Sequence, residues 1–198
     1  MADHLRARSA LHDAGGETPC AFGVATMVRL TEEPPAGAMV LRLDAGDDGA
    51  LQRAREALGV DLPLLPNTWH GSGDSAVLLQ ACDEWLVLTA DGRQTEMAAR
   101  LTQALAGRHS AVTDVSDLHA GFRIEGPAGR DLLRKGCAVD LHPRVFGTGQ
   151  LALTALARVR VVLWQTKDAP VYRLRVERSH ARYLWDWLVD AGGEFIGG

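Results

Sequence analysis

Two stretches of this 198-residue chain repeat one pattern, and that repetition constrains the fold more than any other feature. The first runs from Val40-Leu41-Arg42-Leu43 through a helical segment to Val60-Asp61-Leu62-Pro63. The second runs from Gly121-Phe122-Arg123-Ile124 through a helical segment to Val139-Asp140-Leu141-His142-Pro143. Each is a strand, an acidic or glycine turn, an amphipathic helix and a Val-Asp-Leu exit. Leu41 aligns with Phe122 and Asp61 with Asp140, offsets of 81 and 79 residues. A near-constant offset marks a duplicated half-domain.

The intervening segments fill out the repeat. Met39 to Asp44 alternates apolar and polar residues and reads as a strand. Asp47 or Asp48 can cap a helix carrying Leu51, Ala54 and Leu58 at helical spacing, and Gly59 ends it. Leu62 to Gly73 reads as a loop, followed by strands over Ala76 to Ala81 and Glu84 to Thr89, a helix from Gln94 to Ala106 and a strand at Ala111 to Val115. The second half repeats the order, with strands over Leu118 to Glu125, Leu151 to Leu156, Arg158 to Gln165 and Val171 to Val176. Its short helix opens at Gly126-Pro127 and stops at Gly136; its last helix is capped by Ser179 and runs to about Ala191. The expected fold is α+β: two ferredoxin-like halves, antiparallel sheets with helices packed on them, related by pseudo-twofold symmetry. Residues 1–36, with Gly15-Gly16 and Glu32-Glu33-Pro34-Pro35, read as a loosely ordered arm. Residues 37–198 read as a single domain of two halves, about 37–115 and 116–198.

Composition narrows the function. Net charge is −4, so no basic excess drives nucleic-acid binding. The apolar runs, such as Val159 to Trp164, are too short to span a bilayer, so no membrane partner is expected. Three widely spaced cysteines (Cys20, Cys82 and Cys137) point to reduced thiols and a cytoplasmic setting.

The search for chemistry finds little. Gly147-Thr148-Gly149-Gln150-Leu151-Ala152 has the letters of a dinucleotide fingerprint but lacks the strand before and the helix after that would aim a helix N-terminus at pyrophosphate. Gly71-Ser72-Gly73 lacks the spacing of a nucleophile elbow and reads as a flexible loop. No histidine sits at metal-ligand spacing. Cys137, at a helix C-terminus where the dipole disfavours thiolate, reads as a buried structural thiol. His142 reads as a loop histidine bonding nearby backbone rather than a general base. Basic residues cluster between Arg123 and Arg160, either as a solvated face or as a surface for an acidic partner. The last helix carries Ala181, Leu184, Trp185, Leu188 and Val189 on one stripe and His180, Tyr183 and Trp187 on the other. Either it contacts a second chain there, or it is buried on both sides within this one. His180, Tyr183 and Trp187, with His142 and Arg144, form the candidate partner interface; no catalytic, cofactor-binding or metal residue is assigned.

Several segments carry a resemblance. Arg134-Lys135-Gly136-Cys137-Ala138-Val139-Asp140-Leu141-His142-Pro143-Arg144-Val145-Phe146, Leu64-Leu65-Pro66-Asn67-Thr68, Asp83-Glu84-Trp85-Leu86-Val87-Leu88 and Arg178-Ser179-His180-Ala181-Arg182-Tyr183-Leu184-Trp185-Asp186-Trp187-Leu188 resemble the gamma subunits of heterotetrameric sarcosine oxidases over roughly residues 39 to 192. Asp114-Val115-Ser116 ahead of Gly126-Pro127-Ala128 is similar to the folate-binding domain of the glycine-cleavage T protein superfamily, itself a duplicated ferredoxin-like unit. The resemblance implies a structural, non-catalytic subunit working with alpha, beta and delta subunits. Those partners would hold FAD, FMN, NAD and tetrahydrofolate, oxidise sarcosine to glycine and release hydrogen peroxide with formaldehyde or 5,10-methylene-tetrahydrofolate. The competing expectations are a stand-alone folate-binding or one-carbon transfer protein and the gamma subunit of a related N-methylproline or dimethylglycine demethylase.

Overall fold

A computed structural model describes residues 9–12, 20–24, 26–72 and 75–195. In chain order the elements are β1 (Ala21–Val24), β2 (Val28–Glu32), β3 (Gly37–Leu43), α1 (Asp48–Leu58), β4 (Trp69–Ser72), β5 (Ser75–Ala81), β6 (Glu84–Thr89), α2 (Gln94–Ala104) and β7 (Ser110–Asp114). Then come β8 (His119–Glu125), α3 (Gly129–Arg134), β9 (Leu151–Leu156), β10 (Val159–Lys167), β11 (Val171–Glu177) and α4 (Ala181–Gly192). The strands make a five-stranded sheet, β4-β5-β6-β3-β7, and a six-stranded sheet, β1-β2-β8-β11-β10-β9. Two compact units result: Ala36–Ser116 with Thr148–Leu153, and Met1–Pro35 with Asp117–Gly147 and Thr154–Gly198.

In the first unit β7-β3-β6-β5 are antiparallel neighbours. Counted in chain order this is the 4-1-3-2 order of a ferredoxin-like split βαβ pair. Met39, Leu41 and Leu43 alternate onto the helix face and meet Val77, Leu79, Trp85 and Val87 there. On the opposite face Ala38, Leu78, Leu86 and Leu88 are buried too, so the central strands are apolar on both sides. The ridge of α1 that enters the core is all alanine (Ala50, Ala54, Ala57), with Leu51 and Leu58 half-buried beside it. Small side chains let the helix approach the sheet closely. Asp47 caps α1 by accepting from the Ala50 N–H at 3.0 Å, and Gly59 ends it at φ 72, which glycine adopts without steric cost. Trp85 is fully buried and donates its indole N–H to the Pro63 carbonyl at 2.8 Å, which pins the segment leaving α1.

The second unit builds the same order from β2-β8-β11-β10, with the position that β7 occupies in the other sheet taken by β2. This corrects the loose arm expected over residues 1–36. Ala21–Val24 and Val28–Glu32 are paired strands, and β2 continues onto β8 with Leu30 opposite Ile124 and Glu32 opposite Phe122. Val28 and Leu30 are fully buried one strand period apart. That alternation, V-R-L-T, is short and was masked by the Gly and Pro residues around it. Residues 1–8, 13–19 and 25 of the expected arm lie outside the described residues. Two smaller expectations also change. Trp69–Ser72 is a strand paired with β5, not loop, because Trp69 to Ser72 runs antiparallel to Leu78 to Ser75. Ser179 does not cap α4: it lies in a 3-10 turn, Arg178–His180, and the capping position is His180, with no side-chain bond. The core face of α4 is Ala181, Leu184, Trp185 and Leu188, with the Trp185 ring 5.6 Å from that of Phe122.

If β2 is a core strand, Leu30→Ala should destabilise the chain by about 2–5 kcal/mol, the cost of truncating a buried leucine. Urea unfolding reads this; a change under about 0.5 kcal/mol, typical of a surface site, would contradict it.

Candidate functional site

The strongest electrostatic feature of the second unit lies in residues that sequence reading passed over. Glu32 and Glu33 are neighbours whose carboxylates serve different partners. Glu32, at the end of β2, accepts from the Ser9 hydroxyl at 2.6 Å and from the Cys20 N–H at 3.3 Å, holding two earlier segments of chain. Glu33 donates its own N–H to the Gly121 carbonyl at 2.8 Å and receives Arg173, whose Nη2 donates to Oε2 at 3.0 Å, together with Arg175. Arg175 is only 4% exposed, so its charge must be paired within the fold. Both guanidiniums also lie over the fully buried ring of Trp164, at 5.4 and 5.7 Å from its centroid. Arg175 pairs across the sheet with Gly121, and a Cβ at Gly121 would collide with its guanidinium.

The titration behaviour follows. Burial pushes the Glu33 carboxyl up, but the charges of Arg175 and Arg173 and their hydrogen bonds outweigh it, so its pKa lies below the ordinary 4.5. His119, beside the cluster, is held below its ordinary 6.5 by burial first and by Arg175 second. Glu33 answers both guanidiniums and so ties the segment after β2 to β11.

The five candidate interface residues fall into two sets. His142 sits in a turn: its N–H donates to Asp140 Oδ1 at 2.9 Å, its Nδ1 accepts from the Arg144 N–H at 3.2 Å, and its carbonyl accepts from Val145 and Phe146. Its contacts are therefore to nearby backbone. Arg144 is exposed, as is Val145 next to it. On α4, His180 is exposed and Tyr183 is 43% exposed, whereas Trp187 is half-buried. A Cβ on Gly136 would stand 2.6 Å from the Trp187 ring, so that ring covers Gly136 within the same unit. Trp187 thus fills a role inside the chain, while Tyr183 and His180 face outward. Leu118 adds an exposed apolar residue near the start of α4, its carbonyl accepting from the Arg178 N–H at 2.8 Å.

The remaining candidates resolve locally. Gly147 to Ala152 passes through a turn, with Gly149 at φ 87, into β9 rather than into a helix. Cys137 is half-buried, not buried as expected from sequence, and forms an isolated bridge with Leu156. Of the basic run, Arg123 pairs with Glu125, Arg134 with Asp131 and Lys135 with Glu194. Among the described residues no group of three or more His, Cys, Asp or Glu side chains is placed to hold a metal, and no helix is long and apolar enough to cross a membrane.

Comparison with known proteins gives a consistent picture. The sequence profile of the Sarcosine oxidase, gamma subunit family matches residues 42–194. A sarcosine oxidase subunit gamma from Corynebacterium sp. (strain P-1) is 36% identical over 148 residues, covering 74% of this chain and 71% of that protein. The solved heterotetrameric sarcosine oxidase from Corynebacterium sp. U-96, in complex with pyrrole 2-carboxylate, contains a chain that superposes with a TM-score of 0.85 at 30% identity over 97% of both chains. The glycine cleavage system aminomethyltransferase T from Bartonella henselae superposes at a TM-score of 0.63 and 12% identity, covering 83% of this chain and 46% of that one, a likeness of fold alone.

Two outcomes are expected from these contacts. Glu33→Gln leaves Arg175 buried without a counter-charge and should cost about 3–5 kcal/mol. Because the folded pKa of Glu33 lies below its unfolded value of 4.5, its stabilisation is complete above that pH and is lost as the pH falls through the folded value. Denaturant midpoints measured from pH 7 to 3 should show that loss in the parent and a shallower slope in Glu33→Gln. Gly136→Ala should cost roughly 1–3 kcal/mol by driving a methyl group into Trp187, with a red-shifted tryptophan emission as the ring is displaced toward water.

Proposed function

Because the chain belongs to the Sarcosine oxidase, gamma subunit family, we propose that it serves as the structural gamma subunit of a heterotetrameric sarcosine oxidase. The observation that carries this reading is the superposition on the Corynebacterium oxidase over 97% of both chains. The proposed assembly removes the N-methyl group of sarcosine by oxidation, yielding glycine and hydrogen peroxide, with the one-carbon unit leaving as formaldehyde or 5,10-methylene-tetrahydrofolate. Alpha, beta and delta subunits are the partners, and FAD, FMN, NAD and tetrahydrofolate belong to them. The glycine turn at 147–149 leads into a strand, so the dinucleotide-like letters there are not followed by a helix N-terminus. What the chain supplies is surface. Tyr183 and His180 on α4, Leu118 beside them, and Arg144 with Val145 after α3 combine aromatic, apolar and cationic groups of the kind that anchor protein interfaces. The proposed setting is the cytoplasm, a reading supported by three unpaired cysteines, which a reducing compartment keeps as thiols.

The test is co-expression with the three partner subunits, followed by purification on a tag carried by this chain. A yellow complex with a flavin absorbance spectrum and sarcosine-dependent peroxide formation is the expected result; an active flavoprotein that excludes this chain would overturn it. Tyr183→Ala should leave the isolated chain folded and weaken co-purification by about tenfold, the loss typical of an interface anchor worth 1–2 kcal/mol. Retention equal to the parent would remove Tyr183 from the interface. Micromolar tetrahydrofolate binding by the isolated chain would favour a one-carbon carrier instead.

A further inference from the structure

The five-stranded sheet ends at β7. The Val115 N–H donates to the Ala38 carbonyl at 2.8 Å, and the same register sets Thr113 opposite Val40 and Ala111 opposite Arg42. Backbone groups of an antiparallel strand point alternately to one side and the other. Ala111 and Thr113 therefore bond to β3, and Ser110, Val112 and Asp114 turn their N–H and C=O groups outward. Among the described residues no backbone bond reaches those groups. Ala111, Thr113 and Asp114 are exposed, while the Val112 side chain packs against the helix-side core.

Sheet edges are normally blunted, because an open one recruits another strand. The other edges here are. β1 contains Gly23 at φ 82, β4 is four residues long with Gly71 at φ 145, and β9 is flanked by bridges from Thr68 to Gln150 and from Cys137 to Leu156. β7 has no Lys, Pro or Gly, and its pairing with β3 carries no register shift.

We propose that β7 is a docking edge, completed by an extended strand of a partner subunit in the oxidase assembly; this rests on the gamma-subunit reading above. The ladder of unpaired donors and acceptors selects an extended backbone over a helix. Charge complementarity selects the occupant further: Asp114 is the one charged residue of β7, and the strand that pairs with it carries Lys or Arg opposite. Pairing β7 with a second copy of itself about Val112 sets Asp114 against Ser110, which offers no cation.

The experiment is amide hydrogen exchange of the full-length chain, alone and in the co-expressed complex. Alone, Ala111 and Thr113 exchange slowly and Ser110, Val112 and Asp114 quickly. In the complex the latter three slow by at least about tenfold, as amides newly placed in a ladder do. Val112→Pro removes the central outward donor without touching a bond to β3, and lowers complex yield by a similar factor. If that variant fails to fold, the exchange pattern of the parent still decides. A complex that forms with the three amides unprotected overturns the docking edge and leaves the gamma-subunit reading standing. Failure of any complex to form overturns both, and protection that rises with concentration in the lone chain assigns the edge to a second copy instead.

Discussion

Two guanidiniums and one carboxylate, nearly sealed from water, set the terms on which the six-stranded sheet closes. Arg173 and Arg175 lie on the same face of β11, and Arg175 has no access to bulk solvent worth the name. A charge so placed is tolerated only with a partner of opposite sign in contact. That partner, Glu33, comes from the far end of the chain, directly after β2. Its neighbour Glu32 holds Ser9 and Cys20. Consecutive acids thus fasten the N-terminal segment both to β11 and to itself, and the β2–β8 ladder adds the backbone bonds between them.

Much of the architecture could be read from residue pattern. The duplicated theme, the capping by Asp47, the stop at Gly59 and the strand pairs β5–β6 and β10–β11 all follow from local signals: alternation, a short acid before a helix, a glycine in the left-handed region. β2 could not be read so easily. Five residues carry its alternation, and Glu32 breaks it by being polar and buried. Its pairing with β8 is a tertiary fact with no local trace. The alanine ridge of α1 misled in a milder way, because the leucines at 51 and 58 looked like the core stripe and instead flank it. In the candidate interface, helical spacing grouped Tyr183 with Trp187, but spacing alone could not show that Gly136, just after α3, leaves room for the Trp187 ring.

Several of the side chains that sequence reading singled out are engaged by contacts within their own unit. His142 serves a turn, Trp187 covers a glycine, and Arg123 answers Glu125. Tyr183, His180 and Arg144 stay outward, with exposed Leu118 and Val145 and the edge of β7. Such a division suits a subunit whose contribution is a rigid surface, since anchors work best when the scaffold behind them does not move.

The placement of β2 carries a consequence for synthesis. Strands β1 and β2 belong in a sheet whose other members, β8, β9, β10 and β11, follow them only after the whole of the Ala36–Ser116 segment. Contacts between residues so distant in the chain are slow to form, because loop closure must precede their gain. The unit centred on Ala36–Ser116 has most of its strands consecutive and is positioned to close while the nascent chain is still growing. Until β8 and β11 have been made, β2 lacks its partner on one side and Glu33 lacks Arg173 and Arg175. During that interval the β8-facing side of β2 is an open backbone ladder of the kind that recruits other strands.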